Sequence, residues 1–536
     1  MKAHQKRGIT ISITLLFFTI LLIFYFALPA LNVHSYGLWL SIISLFWFAY
    51  WLLRITKVIP YSFHKILFRG LLLGTLLLIL VYALFLPIRI PQEYYHRLSV
   101  EQISFEADLP ETILSEIPKI DKRTSRILGD KNLPITQGEF TTQKEYTLVL
   151  QNGTPYRISP LQYTSWFHSN APIPGFIKVN TLDPNDSSYV EVPGGIQYSP
   201  YAYGAKNLKR YLRIQYPSAI LGNAVFEIDD QNTPYWVVPE ITIKKGIGGR
   251  DVMCVKTVTA TYTVNATTGE VNRYDLGTQP AWVSYGVDPK IILDEIKSYG
   301  YFDDQSIFTF LQQRKEKMSY SDYTYTIFDQ TLYLITLMQT NDPNEQFGKG
   351  FMLVNMRTGK AKYATSQDPI CKQTSAIVGL QDPNQAVNNA SKQFTSIPVP
   401  CKLNGNLTYL TYIGDTNGIL QYALSPASNT TEHITATYEE GIEIAITRYQ
   451  SLKTSPIHND VTTKNTIVDQ ITSVRLDDSP ELTYTIKAQG ITYTAPSTLS
   501  KKLSKILPGD SVKITSKKIN NNYEIIDIEK KSNLIK

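Results

Sequence analysis

Side chains able to do chemistry are thinly spread along this chain. Its histidines are His4, His34, His64, His96, His168, His433 and His458, and none stands at metal-ligand spacing from another His or from a Cys. A zinc site needs such ligands to converge, so no metal ligand is assigned and no cofactor is expected. Cys254, Cys371 and Cys401 form an odd, small set that gives no disulfide framework. Three buried free thiols are expected, with a Cys371–Cys401 bridge as the alternative. Residues 244–250 are Gly-rich but lack the Gly-Lys-Ser/Thr ending of a phosphate loop and are expected to be a hairpin tip. No Gly-x-Ser-x-Gly elbow occurs, and no cysteine has a recognisable nucleophile setting. Asp229-Asp230 and Asp303-Asp304 are paired carboxylates, but acid–base work or calcium binding needs further groups placed by the fold. Tyrosine is the abundant type, with 35 residues. It clusters at Tyr198, Tyr201 and Tyr203 and again at Tyr320, Tyr323 and Tyr325. An apolar ring with a polar tip suits contact with protein or glycan, and equally suits a half-exposed sheet. Tyr198, Tyr201 and Tyr203, with Trp166 and His168, form the candidate contact surface.

Three apolar stretches, residues 9–28, 38–53 and 70–88, decide where such groups would sit. A membrane span needs about 20 apolar residues. The second stretch ends in Trp47, Phe48, Tyr50 and Trp51, residues that favour the headgroup level. A signal peptide is shorter and is not followed by two further stretches, so three transmembrane helices are expected. Lys2, Lys6 and Arg7 precede the first stretch, the first link has no Lys or Arg, and the second link holds Arg54, Lys57, Lys65 and Arg69. Basic residues in short loops stay cytoplasmic. The N-terminus is therefore expected inside and residues from about 91 onward outside the plasma membrane. The formal net charge of +6 follows from the same segment. Of 52 Lys and Arg, eight lie in residues 1–90, which hold no Asp or Glu; 44 remain against 46 acidic residues. A nucleic-acid footprint is not expected from that balance.

The remainder is rich in Tyr, Thr, Val and Ile, which favour strands. Asn152-Gly153 marks a tight hairpin turn. Four further hairpins are expected at 225–238, 262–274, 352–363 and 410–424, the second and third sharing Val-Asn-x-x-Thr-Gly. Glycine takes the left-handed position and the Asn side chain bonds the turn. Helices are expected at 205–215, at 290–299 after Asp288-Pro289, at 384–394 after Asp382-Pro383, and at 437–452. A helix followed by strands, with a hairpin written Val-Asn-Ala-Thr-Thr-Gly-Glu-Val, resembles the PepSY module of bacterial extracytoplasmic proteins. Residues 262–274 carry the likeness best and 350–363 a second time. The resemblance implies a membrane-anchored extracytoplasmic protein of Gram-positive-type bacteria, with protease inhibition or regulation near the cell envelope and no catalytic residues of its own. Residues 461–536 read as three strands, a helix at 497–506 and two strands, the order of an OB-fold.

The expected architecture is a membrane-anchored α+β chain. It has three transmembrane helices (1–90), a juxtamembrane stalk with short helices (91–140), β-rich and α+β regions of PepSY-like hairpin–helix units (141–285 and 286–460), and an OB-like β-barrel (461–536). No catalytic constellation is legible. The chain reads as a non-catalytic scaffold or binding protein whose partners are the lipid bilayer and another envelope protein or cell-wall polymer, with no nucleic acid. Two alternatives stay open. One is a component of a larger envelope-spanning or mobile-element-encoded membrane assembly. The other is an envelope-polymer hydrolase using Asp303 or Asp304, which would need two carboxylates at glycosidase separation.

Overall fold

The computed structural model describes residues 2–56, 58, 61–84, 95–112, 118, 120, 122–133, 139–165, 171–183, 185–243, 256–301, 318–340, 342, 345, 347–380, 394–414, 419–430, 432–454, 461–475, 482–495, 500–519 and 522–530. Two compact units are formed, Met1–Ile446 and Thr447–Lys536.

Three helices open the first unit: α1 (Lys2–Phe26), α2 (Tyr36–Ile55) and α3 (Tyr61–Leu84). Among the described residues, two stretches are long and apolar enough to cross a membrane, Arg7–Phe26 and Gly37–Ile55. Ile13, Phe17 and Phe18 lie exposed on α1, uncovered by any protein core. The expected three transmembrane helices are thus corrected to two of crossing length. α3 carries Lys65 and Arg69 in its first half. Its described uncharged remainder, residues 70–84, rises only about 22 Å at ~1.5 Å per residue, short of a hydrocarbon core ~30 Å thick.

Four antiparallel meanders dominate the rest of the first unit, so the expected hairpin–helix architecture gives way to sheets joined by short helices. The first runs Thr147–Gln151, Thr154–Pro160, Ile173–Asn180, Ser187–Ile196. The second pairs Val225–Ile228 with Pro234–Ile243, then Lys256–Asn265 and Val271–Asp275. The third runs Met318–Phe328, Thr331–Thr340, Gly350–Asn355, Ala361–Thr365. The fourth runs Val399–Leu403, Asn406–Gly414, Ile419–Pro426, Ile434–Thr437. α4 (Phe105–Asp108) and α5 (Lys122–Lys131) precede the meanders, α6 (Leu208–Gln215), α7 (Pro289–Tyr301) and α8 (Gln373–Leu380) join them, and α9 (Ile442–Thr454) follows them, starting in the first unit and ending in the second.

Strand periodicity explains the layering. In Thr331–Thr340, Leu332, Leu334 and Met338 enter a core shared with Ile292 and Ile296 of α7. Ile335 and Leu337 point the other way, into a core shared with Phe105 and Tyr409. Side chains alternate faces along a strand, so this sheet is buried on both sides. Residues 100–109 are part of that packing rather than of the expected stalk. Val100–Ser104 pairs in parallel with Ala361–Thr365, and Phe105 is fully buried.

Local signals also move the helix boundaries. Asn207 caps α6 by accepting from Arg210 N at 3.2 Å, so α6 starts at Leu208 rather than at 205. Gly441 has φ +86°, which holds the start of α9 to Ile442. Asp288 accepts from Lys290 N at 2.9 Å at the start of α7. The paired strands of all four expected hairpins are present. The turn at 415–418 and the helix expected at 384–394 lie outside the described residues, save for Phe394, which is in a short strand.

The C-terminal unit pairs Val461–Arg475, Leu482–Ala488, Ile491–Ala495, Asn522–Lys530 and Ser511–Ile519 as one ladder, and the first strand also pairs with Ser511–Ile519. Val468, Ile486, Ile514 and Ile528 fill its core. The helix expected at 497–506 is a single turn, α10 (Ser500–Leu503).

Candidate functional site

A cleft of about 960 Å³ opens in the first unit where α5, the first meander, the third meander and the fourth meander meet. Its charge is lopsided: Lys122, Arg123, Arg126, Lys144 and Arg157 line it against Glu145 and Asp322. Lys122, Arg123 and Arg126 share one face of α5 because residues three and four apart are neighbours on a helix. Lys122 pairs with Glu145, and Arg126 lies 3.9 Å from Asp130.

Tyrosines also line the cleft. A bulge between Tyr320 and Tyr323 resets the strand Met318–Phe328, and Tyr323 and Tyr325 then share a face two residues apart. Their rings meet edge-on with centroids 5.9 Å apart, and Tyr325 meets Tyr285 edge-on at 5.8 Å. Burial drives the Tyr285 and Tyr325 hydroxyls well above the usual phenol range, with the Arg157 charge pulling the other way. Both therefore stay neutral hydrogen-bonding groups at ordinary pH. Burial raises Tyr323 too, helped by Glu145. Behind Tyr285 lies Glu227, fully buried. Its carboxyl accepts from Ser284 N at 2.7 Å and from Tyr285 N at 2.9 Å. Burial pushes it up to about 8 against those two donors and Arg357. Glu227 thus ties down the segment that presents Tyr285.

This arrangement can hold an anionic chain, because several cations and neutral phenols line the same cleft. Among the described residues, no group of three or more His, Cys, Asp or Glu could hold a metal ion.

The sequence-selected residues fall elsewhere. Tyr198 turns inward, its ring 4.5 Å from that of Tyr211 and its carbonyl accepting from Trp236 Nε1 at 2.8 Å. Tyr201 and Tyr203 are half exposed, at 50% and 53%, and precede α6 rather than lining the cleft. Trp166, His168, Asp303, Asp304, Cys254 and the 244–250 loop lie outside the described residues. Asp229 organises its hairpin turn, accepting from Gln231 N and Thr233 N at 2.9 and 2.7 Å. Cys371 and Cys401 are free thiols, and burial raises Cys401 to about 12, far from a reactive thiolate. The Tyr320–Tyr325 cluster is the one signal of the cleft visible in the sequence. Its basic wall comes from segments remote in the chain.

A second junction joins the link between the membrane-length helices to α6 and the turn after it. In the link between α1 and α2, Leu31 N donates to Pro217 O at 2.7 Å, and Asn32 Nδ2 donates to Ser218 O at 3.2 Å. Arg213, 3% exposed, donates from Nε to Leu28 O at 3.2 Å.

No protein-family model and no curated protein matches this chain. Solved structures align only distantly. An alpha-L-arabinofuranosidase from Lactobacillus brevis aligns at 8% identity and TM-score 0.16, over 64% of this chain and 83% of that one. Trypanosoma rangeli sialidase in complex with sialic acid aligns at 9% and 0.18, over 72% of this chain and 53% of that one. The polysaccharide lyase Uly1 aligns at 8% and 0.15, over 65% and 74%. At these scores neither fold nor chemistry carries over.

Proposed function

We propose that this chain is a membrane-anchored, non-catalytic binding or scaffold protein of a bacterial envelope, whose cleft takes an anionic segment of a wall polymer or of another envelope protein. The observation that carries the reading is the cleft, lined by the cations of α5 together with Tyr323 and Tyr325. The PepSY resemblance of the Val-Asn-x-x-Thr-Gly hairpins is in keeping with a binding role. The side of the membrane is read from the link contact and not from a number of spans. The link has no Lys or Arg, whereas Lys2, Lys6 and Arg7 stand at the other end of α1. The link is therefore read as external, and the turn after α6 that it touches at Pro217 and Ser218 is read on the same side.

The test is binding of a poly(glycerol phosphate) chain to the full-length protein in detergent, with a neutral glycan as control. The polyanion is expected to bind and to weaken with added salt. Arg126→Glu is expected to lower affinity at least fivefold and flatten the salt dependence. Equal affinity for the neutral glycan, or an unchanged Arg126→Glu variant, overturns the cleft assignment. Turnover of the polymer overturns the non-catalytic part.

A further inference from the structure

We infer that α6 and the end of α1 form a phospholipid site, with the lipid phosphate on Arg210 and an acyl chain along α1. The inference rests on the reading that α1 lies in a bilayer. Three observations converge on it.

The first is a groove of about 380 Å³ between the two helices, walled by Phe18, Leu21, Leu22, Tyr25 and Ile214 with Arg210 beside them. Residues 18–26 of α1 rise about 12 Å, most of one leaflet of a ~30 Å hydrocarbon core. Ile214, 64% exposed, continues the exposed apolar surface of Phe18, Leu21 and Leu22 across to α6, and a contiguous apolar patch marks a membrane or ligand contact where a single exposed residue would not.

The second is the state of Arg210. Its Nε and Nη2 donate to Tyr25 O at 3.3 and 3.2 Å, and its Nη1 donates to Gly204 O. Its guanidinium also sits over the Tyr25 ring at 4.0 Å. A guanidinium has five N–H donors, so two remain. These partners are carbonyls and a ring, and no carboxylate among the described residues neutralises its charge. Guanidinium planes match phosphate oxygens in geometry as well as in sign.

The third is the charge of the surroundings. Residues 192–226 contain Lys206, Lys209, Arg210 and Arg213 and no Asp or Glu. Lys206 and Lys209 are exposed, and with the half-exposed Tyr201 and Tyr203 they make a cationic, aromatic foot of the kind that rests at headgroup level. An anionic phospholipid is therefore preferred over a zwitterionic one.

The experiment uses the full chain, reconstituted in nanodiscs of phosphatidylcholine with phosphatidylglycerol and released for native mass spectrometry. Wild type is expected to retain phosphatidylglycerol in preference to phosphatidylcholine. Arg210→Gln and Ile214→Asp are each expected to reduce retention at least fivefold. Lys297→Gln on α7 should leave it unchanged, and Arg210→Lys should keep part of it. Ile214 is exposed and makes no polar contact, so its variant tests the site without breaking the Arg210–Tyr25 contact. Vesicle flotation reports anchoring separately. Variants that float but lose the lipid support the site. A wild type that floats but retains no phosphatidylglycerol, retention unaltered in both variants, or displacement by inorganic phosphate overturns it. A wild type that does not float overturns the anchoring as well.

Discussion

Asn265 and Asn355 organise two turns of one design. Each side-chain carbonyl accepts two backbone N–H groups at 3.0 Å, from Thr267 and Thr268 in one and from Arg357 and Thr358 in the other. Gly269 and Gly359 then take φ +82° and +71°, a region where a side chain is strained. The surroundings differ. A Cβ at Gly269 would meet Tyr198 Cε2 at 2.5 Å, whereas one at Gly359 would meet Val287 Cγ1 at 3.2 Å. Chemical denaturation should therefore show Gly359→Ala losing about 1–2 kcal/mol from backbone strain alone, and Gly269→Ala losing more. Glu227 gives the protein a pH dependence of definite sign. Its carboxyl titrates near 8 in the folded state, above its unfolded value of about 4.3, so the native state binds the extra proton. That contribution is complete below the unfolded value and is lost as pH rises through 8. Calorimetry should show the midpoint falling between pH 5 and 8, with Glu227→Gln flattening the slope. The same variant should cost about 1–3 kcal/mol at low pH, because the amide presents an N–H to one of two backbone donors.

At the scale of elements, the third meander bears the largest share of the packing, since both its faces are buried. Leu334 and Leu337 have no exposed surface and belong to cores on opposite faces. Leu334→Ala and Leu337→Ala should each destabilise by about 2–5 kcal/mol. Because the two sites share no cavity, the double variant should be close to additive in urea denaturation. α5 and α6 have a different character. Each is short, basic on its exposed side, and held by a few contacts: α5 by Thr124 and Ser125, α6 by Leu208 and Leu212 in the first core. Both present charge on the side turned away from the core.

For the whole molecule, the contact between the α1–α2 link and the turn after α6 bears on the side of the membrane. The α1–α2 link touches the turn after α6 at Pro217 and Ser218, which sets that turn on the link's side of the membrane. Protease added to intact spheroplasts is expected to digest the chain beyond residue 95, in keeping with that contact. Protection of this part, with cleavage only after lysis, would place the link and the sheets inside.

Hairpins, caps and apolar runs are legible in the chain because each is written within a few neighbouring residues. Asn-x-x-Thr-Gly sets its own turn, Asp288-Pro289 starts its own helix, and residues 9–28 declare their solvent by composition alone. The third apolar stretch misleads because its composition, taken by itself, leaves out the charges that its helix also carries. Nothing local foretells that Val100–Ser104 joins Ala361–Thr365, that α5 lines one cleft with Tyr323 and Tyr325, or that Arg213 reaches Leu28 O. An edge strand can pair with any open edge, and a basic helix face is equally stable in water. Only the packing of the cores between them chooses among such equivalent partners, and that choice made the cleft.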